Sequence, residues 1–344
     1  MADGTKIEWT DATVNAVNGC TVLSPGCKRC YAMRQAHRFE ARRGLTQHTA
    51  GGMVWTGEVR LNEKALLQPL AWKRPRRIFW NAHGDLFHEN VPDAWIDKVF
   101  AVCALTPQHQ HQILTKRSAR MRAYLSDPRM PQRVALVCFD MNRAGLVKFS
   151  ALFAALGDRE RDEDAEFVPI PLANVWLGVS VEDQRRADDR IPDLLATPGA
   201  VRFLSVEPLL GPVDLDIFPV FGPSRERLLH WVIVGGESGH GARPMHPAWV
   251  RSLRDQCADA DVPFFFKQWG EWLPWEPGCP PEWQSQSGLR EDHHALFPDD
   301  IDADPKWDDG IWAVPDHDHF AFQRVGKKAA GRMLDGATHD GMPA

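Results

Sequence analysis

The 344-residue sequence contains no run of about 18 apolar residues, so nothing in it is expected to span a membrane. Its opening stretch, MADGTKIEWTD, lacks the basic-then-apolar pattern of a secretory signal. On both absences a cytoplasmic location is expected, where thiols stay reduced. No GxGxxG follows the first expected strand, which weighs against a dinucleotide-binding fold. GGESG (235–239) has the glycines to cradle a phosphate, but no Lys-Ser/Thr follows, which argues against a P-loop. No internal repeat is present. A closed zinc site is one ligand short: three cysteines cluster and no fourth joins them.

What is present is ordinary in bulk. Hydrophobic residues make up 44% and charged residues 25%, and the length allows one large α/β barrel or two smaller domains. The net charge of −6 hides an asymmetry: residues 1–150 carry a balance of +10 and the remainder −16. Much of the negative charge falls in GDRERDEDAEF (157–167) and FPDDIDADPKWDDG (297–310), which read as solvated insertions.

Short apolar runs alternate with segments of helical periodicity. RRIFWNAHGD (76–85) reads as a buried strand, and DAWIDKVFAVCAL (93–105) as a helix with Trp95, Val99 and Val102 at helical spacing. Further strands are expected in HQILTK (111–116), NVWLGVSVE (174–182), VRFLSVEPL (201–209), HWVIVGGESG (230–239) and VPFFFKQW (262–269). Helices are expected in RSARMRAYL, DQRRADDRIPDLLA and PAWVRSLRDQCADA, the last with Pro247 near its start. The alternation predicts an α/β fold: a partial or full parallel (β/α) barrel over residues 1–272, with an insertion near 139–170. Residues 273–344 are expected to form an irregular C-terminal extension carrying an acidic insertion.

Polar residues end the apolar runs. Asp85 follows IFWNAHG, with Glu89 close behind. Lys116 follows QIL, Ser180 and Glu182 end WLGVSVE, Glu207 ends FLSVE, Glu237 ends VIVGGE, and Lys267 ends FFFK. In a parallel barrel these ends converge on one mouth, where barrel enzymes place their chemistry. A structural network of ion pairs is the alternative. Lys116, Glu207 and Lys267 are the candidate catalytic groups.

GCTVLSPGCKRCYA (19–32) sets Cys20, Cys27 and Cys30 in one loop, with Gly19, Gly26 and Pro25 to bend and stiffen it. Clustered thiolates let one loop wrap one metal centre. Three of them leave one metal position free, as in a four-iron cluster whose last iron binds a substrate or cofactor. The alternatives are a zinc site completed by His37, and three incidental cysteines. Cys103, Cys138, Cys257 and Cys279 are scattered; the first three lie in apolar stretches and read as buried small hydrophobes. His83 and His88 flank Asp85 as H-x-D-x2-H, which reads as a second metal site or as contacts to substrate and neighbours. Trp269, Trp272, Trp275 and Trp283 follow the last strand and read as packing of the C-terminal tail, or as a lid.

KIEWTDATVNAVNGCTVLSPGCKRCYA, DLFHENVP, ILTKR, LGVSVE, RFLSVEPLLGPV, VGGESGHGARPMHPAWV, FFFKQWGEW and GKKAAGRMLDG resemble, in order from residue 6 to about 336, the three-Cys-motif phage protein family. That family in turn resembles radical S-adenosylmethionine (SAM) enzymes, above all the spore photoproduct lyase branch. The usual radical SAM spacing is C-x3-C-x2-C with an aromatic before the last cysteine. Here it is C-x6-C-x2-C, Arg29 takes the aromatic position, and Tyr31 follows.

The resemblance implies a barrel of the radical SAM type with a [4Fe-4S] cluster on Cys20, Cys27 and Cys30, and SAM chelating the fourth iron. Asp85 or Glu89 would receive the SAM ammonium, Ser180 or Glu182 its ribose, and Gly235, Gly236 and Glu237 would lie along the cofactor. It also implies an electron donor such as flavodoxin or ferredoxin, and an association with a three-Cys-motif partner protein. Of the basic segments, TKRSARMR (115–122) begins at the mouth and suits a nucleic-acid or nucleotide substrate, with Lys116, Arg117 and Arg120 as phosphate contacts; RQAHRFEARR (34–43) follows the cluster loop, and KRPRR (73–77) enters its strand from the opposite end and reads as a solvated face. Ordinary solubilising charge and a small phosphorylated metabolite are the alternatives. The alternative function is a non-catalytic, zinc-stabilised nucleic-acid-binding phage protein.

Overall fold

In the computed structural model, which describes residues 4–5, 7–156, 168–223, 227–275, 311–314 and 320–343, seven strands form one parallel sheet. They are β1 (Ala12–Val14), β2 (Arg77–Trp80), β3 (Gln110–Thr115), β4 (Val175–Ser180), β5 (Val201–Val206), β6 (Trp231–Gly235) and β7 (Phe264–Gln268). Sheet order equals chain order, and each neighbouring pair is parallel. β1 and β7 do not pair, so the sheet is a curled half-barrel, the partial form of the expected barrel.

Parallel neighbours need a crossover, and helices supply most of them. The helices of five or more residues between the strands are α1 (Tyr31–Gln35), α2 (Asp93–Leu105), α3 (Ser118–Leu125), α4 (Met130–Arg143), α5 (Phe149–Ala155), α6 (Gln184–Ala196) and α7 (Pro247–Asp259). Asp183 caps α6 by accepting from the Arg186 amide at 2.9 Å, and Pro247 starts α7, where its missing N–H costs nothing. Part of the expected insertion, α4 with α5, belongs to this helical layer. Residues 157–167 and 276–310, with the two acidic stretches, Cys279 and Trp283, lie outside the described residues.

The period-2 alternation of the strands sorts two cores. One side chain set, including Val14, Ile78, Trp80, Ile113, Leu177, Leu204, Val232 and Phe266, packs outward against the helices. The other, Phe79, Trp176, Phe203, Trp231, Ile233 and Phe265, turns inward and joins Trp9 in an aromatic plug. The Trp9 and Phe79 rings meet edge to face at 4.9 Å, and those of Trp9 and Trp231 at 5.9 Å. Each such ring removes so much apolar surface that truncating one to Ala would cost about 3–5 kcal/mol. The plug fills the lower lumen, so the usable space lies at the C-terminal ends of the strands.

The C-terminal segment returns to the barrel. Residues Trp272–Trp275, Ile311–Val314 and Phe320–Arg324 form a small antiparallel sheet. Residues 339–341 then bond along β7, with the Phe266 amide donating to His339 O at 2.9 Å and Gly341 N to Phe264 O at 3.0 Å. This occupies the open edge of β7 that would otherwise invite pairing with another chain. Trp269 and Trp272 are packing residues, not a lid: both are buried, and their indole N–H groups donate to Met333 O and Ala242 O.

Candidate functional site

The C-terminal ends of all seven strands, or the residues just beyond them, meet at one cavity of about 800 Å³. Thr13 comes from β1, Asn81 from just beyond β2, Thr115 and Lys116 from the end of β3, and Ser180 from β4. Ser205 comes from β5 and Glu207 from just beyond it, Gly236 and Glu237 from just beyond β6, and Lys267 and Gln268 from β7. Cys20, Cys27, Cys30, Asp85 and Arg117 line the same space. Glu89, Glu182, Gly235 and Arg120 do not line it.

The cysteine loop is built by close backbone approach. Gly19 has φ +99°, and a Cβ there would lie 2.0 Å from Glu58 O, so only glycine fits. The Gly19 amide donates to His83 O at 3.1 Å, tying the loop to the end of β2. Pro25–Cys27 make one 3-10 turn, and Cys30 precedes α1. All three cysteines, like Cys103, Cys138 and Cys257, are free thiols. Burial, with the nearby Asp85, pushes the Cys20 thiol up to about 12, and Arg117 opposes the shift. Burial likewise raises the Cys30 thiol, against the backbone amides of Met33 and Ala32. Such thiols hold their protons until a metal displaces them.

The strand-end carboxylates are already engaged. Asp85 Oδ1 accepts from Thr115 Oγ1 at 2.7 Å and the Phe87 amide at 2.9 Å; its Oδ2 accepts from the Lys116 amide at 3.1 Å and Arg117 Nη1 at 3.2 Å. Glu182 is wholly buried and accepts from Ser24 Oγ at 2.6 Å, from Arg190 Nη1 at 2.9 Å and from Lys116 Nζ. Burial alone would raise its carboxyl, but Lys116 and Arg190 outweigh that and hold it below its usual value. Glu237 pairs with Arg243 through three contacts of 2.8–3.0 Å, and Arg243 Nη2 also donates to Pro25 O at 2.9 Å. Glu207 accepts from Lys267 Nζ at 2.8 Å on both oxygens. Three of these groups support the loop from below: Ser24 rests on Glu182, Pro25 on Arg243, and Cys20 on Arg117.

The expected phosphate contacts are placed differently from one another. Lys116 reaches the cavity. Arg117 turns inward, with Nη1 donating to Cys20 Sγ at 3.4 Å, Nη2 to Thr21 Oγ1 at 2.6 Å and Nε to Glu89 Oε1 at 3.3 Å. Burial would lower its pKa, but Asp85, Cys20 and Glu89 together raise it, so it stays charged. Arg120 donates to Val91 O at 2.6 Å and to Asp93 at 3.1 Å, away from the mouth.

Among the described residues, no group of three His, Cys, Asp or Glu side chains is placed to hold a single metal ion. This includes His83, Asp85 and His88. His88 Nε2 lies 3.2 Å from Thr21 Oγ1 and its Nδ1 accepts from the Asn90 amide at 3.1 Å, while His83 lines the cavity. Burial and Arg42 pull His83 down to about 4, so it is neutral. The His37 side chain lies outside the described residues. Tyr31 lines the cavity and donates to Ala82 O at 3.0 Å.

Several participants escaped the sequence reading. Arg190 stands on the inward stripe of α6 with Ala187, Ile191 and Leu194, so a charge in an apolar period was the available signal. Arg243, Ser24, Trp9, Asn81, Ser205 and Gln268 carry no such mark; only the fold assembles them.

The family model described as protein of unknown function (DUF5131) matches residues 4–343, and the chain belongs to that family. No curated protein and no solved structure matches it. No helix among the described residues is long and apolar enough to cross a membrane.

Proposed function

We propose that the chain is a radical SAM-like iron–sulfur enzyme acting on a nucleic acid or nucleotide. The observation that carries this reading is the meeting of three free thiols from one loop with the C-terminal ends of all seven strands in a single cavity. In a four-iron cluster each thiolate takes a different iron, so the three ligands stand apart. A zinc ion needs its ligands about one point, and the side chain of His37, its candidate fourth ligand, lies outside the described residues.

Bound there, a [4Fe-4S] cluster with SAM on its open iron would supply reductive cleavage of SAM and so start radical chemistry. The protein's own share is support and orientation. Glu182, Arg243 and Arg117 hold the loop that presents Cys20, Cys27 and Cys30. Ser180, a strand-end hydroxyl lining the cavity, is the candidate partner for a ribose hydroxyl. Gly236 lets the end of β6 pack directly on the Trp269 backbone, where a Cβ would lie 2.0 Å from Trp269 O, and so sets the position of Glu237. The Lys267–Glu207 pair, partly open to the cavity, is the group able to hold or move a proton at Nζ. Lys116, Lys267 and Lys327 line the cavity and are the cations that would meet phosphate.

Anaerobic reconstitution with iron and sulfide, followed by SAM and dithionite, tests the reading. A brown protein that releases 5′-deoxyadenosine supports it. A colourless protein that retains zinc and binds nucleic acid without turnover would replace it with the non-catalytic alternative.

A further inference from the structure

The cavity has a second chemistry away from the cysteines. Where the aromatic plug meets the mouth, three polar side chains are almost fully buried and each points an unpaired atom into the structure. Trp9 is 2% exposed and its Nε1–H has no partner; Asn81 is 4% exposed with Nδ2 unpaired; Gln268 is 3% exposed with Oε1 unpaired. All three line the cavity. His83 Nδ1, on a less deeply buried residue of the same lining, is a fourth unpaired atom. Buried polar groups are nearly always paired, so these exceptions around one space call for a ligand.

Their orientations are fixed by their other ends. Asn81 Oδ1 accepts from the Val17 amide at 2.8 Å, which leaves the NH₂ as the free end. Asn81 itself holds φ +59°, a left-handed conformation that Asn tolerates better than most residues. Gln268 Nε2 donates to Gly236 O at 3.3 Å and Glu207 Oε1 at 3.4 Å, which leaves the carbonyl free. Trp9 is pinned by its successors: Thr10 Oγ1 donates to Arg77 O at 2.9 Å, and Asp11 Oδ2 accepts from the Arg77 amide at 2.8 Å.

The three most buried of these atoms are two donors and one acceptor, all uncharged, among the flat or apolar walls of Trp9, Phe79 and Leu114. Glu207, beside Gln268, is already matched by Lys267, so a charged group would be buried there without a free counter-charge, and an aliphatic one would leave all three atoms unpaired. We infer that this floor is a subsite for an uncharged, planar, hydrogen-bonding ring of the nucleobase class, carried by the substrate. The inference rests on the proposed reading of the cavity as an active site, and it adds the part of the substrate that enters.

The test is titration of the full-length chain with thymidine, uridine, cytidine, adenosine and guanosine, with ribose 5-phosphate as the base-free control and SAM as competitor. The expected result is binding of at least one nucleoside and none of the control. Asn81→Asp keeps the acceptor for Val17 and removes the donor; Trp9→Phe keeps a ring and removes the N–H. Each should weaken binding about tenfold, the scale of one lost hydrogen bond. Melting temperature reports whether either variant has lost its fold, and Asn81→Asp stands as the test if Trp9→Phe has. No nucleoside binding, or binding unchanged in a folded variant, overturns the inference. So does displacement of the nucleoside by SAM, which would make the floor the cofactor's own adenine pocket. Replacing all three cysteines by Ala should leave nucleoside binding intact. A chain that fails to assemble a cluster yet binds nucleosides keeps the subsite and loses the proposed chemistry; a brown, SAM-cleaving chain that binds none does the reverse.

Discussion

The Arg117 guanidinium lies 3.4 Å from the Cys20 sulfur and 3.2 Å from Asp85 Oδ2, joining the end of β3 to the cysteine loop. Arg117 and Asp85 are each less than a tenth exposed, so their charges depend on one another. Arg117→Met would leave Asp85 and the sulfur without their cation. Breaking one side of a buried pair costs about 3–5 kcal/mol. Urea denaturation should show that loss, and reconstituted Arg117→Met should retain less iron than wild type. Unchanged stability and iron content would mean that the contact is incidental.

The second prediction separates the seven cysteines. Ala at Cys20, Cys27 or Cys30 should each abolish the brown chromophore, since a cluster on two thiolates is readily lost. Ala at Cys103, Cys138 or Cys257 should keep it, because those thiols are buried in the outer core behind the sheet. Cys279, outside the described residues, is expected to be dispensable as well. Iron and sulfide analysis of the seven variants decides the matter, and full iron in the triple Cys20/Cys27/Cys30 variant would sink the cluster reading.

Glu182 carries the third. Its carboxylate faces Lys116 and Arg190, so Glu182→Gln strands two cations and should cost about 3–5 kcal/mol at pH 7. The folded carboxyl lies below its unfolded value, so its contribution is full above the unfolded pKa. It is lost as pH falls through the folded value. The difference between wild type and variant should therefore shrink in acid, below about pH 4. Denaturation at pH 7 and pH 3.5 measures it; a difference that is constant with pH would show that charge is not the source.

How far the sequence disclosed this arrangement depends on the range of the forces involved. α2 was legible to its ends, Asp93 to Leu105, because helical periodicity and the breaks at Pro92 and Pro107 are local. The six longer strands were legible as apolar runs, each ending within a few residues of its expected boundary. β1 was not, because three residues, Ala12–Val14, make no run; the sheet recruits them through pairing with β2. The mouth was legible as a set of strand-end charges, but their use was not. Asp85, Glu182 and Glu237 read as ligand groups, whereas the fold sets Arg117, Arg190 and Arg243 against them, from 6 to 32 residues away in sequence. Trp9, Asn81 and Gln268 share a space only after the sheet has curled.

The fourth prediction concerns acid lability far from the mouth. His111 is fully buried on β3; its Nδ1 accepts from Trp80 Nε1 at 3.0 Å and its Nε2 lies 3.0 Å from Thr106 Oγ1. Burial, assisted by His109, pulls its pKa down to about 3. The unfolded residue titrates near 6.5, so the unfolded chain binds the extra proton first as pH falls. Stability is thus full above about pH 6.5 and declines toward pH 3, by about 3 kcal/mol at pH 4.5 from this group alone. His111→Gln, which can still accept from Trp80, should flatten that slope. A variant with the wild-type slope between pH 7 and 4.5 would remove His111 as its source.

The last prediction concerns Gly236. A Cβ there would lie 2.0 Å from Trp269 O and 2.6 Å from its carbonyl carbon, so backbone would meet backbone and neither could turn aside. Gly236→Ala must therefore push the end of β6 away from the turn after β7. Glu237 follows Gly236 directly, Arg243 is bound to Glu237, and Pro25 O rests on Arg243, so the displacement is passed to the cysteine loop. Overpacking of this kind costs about 1–3 kcal/mol, too little to unfold a chain of this size. The expected result is a folded protein with a modestly lowered melting temperature and a larger loss of bound iron. Gly51→Ala, whose Cβ would meet only Thr49 Oγ1 at 4.0 Å, is the control and should change neither. If Gly236→Ala lost stability but kept its iron, the Glu237–Arg243–Pro25 chain would not be what positions the thiols, and Glu182 beneath Ser24 would be left as the principal support.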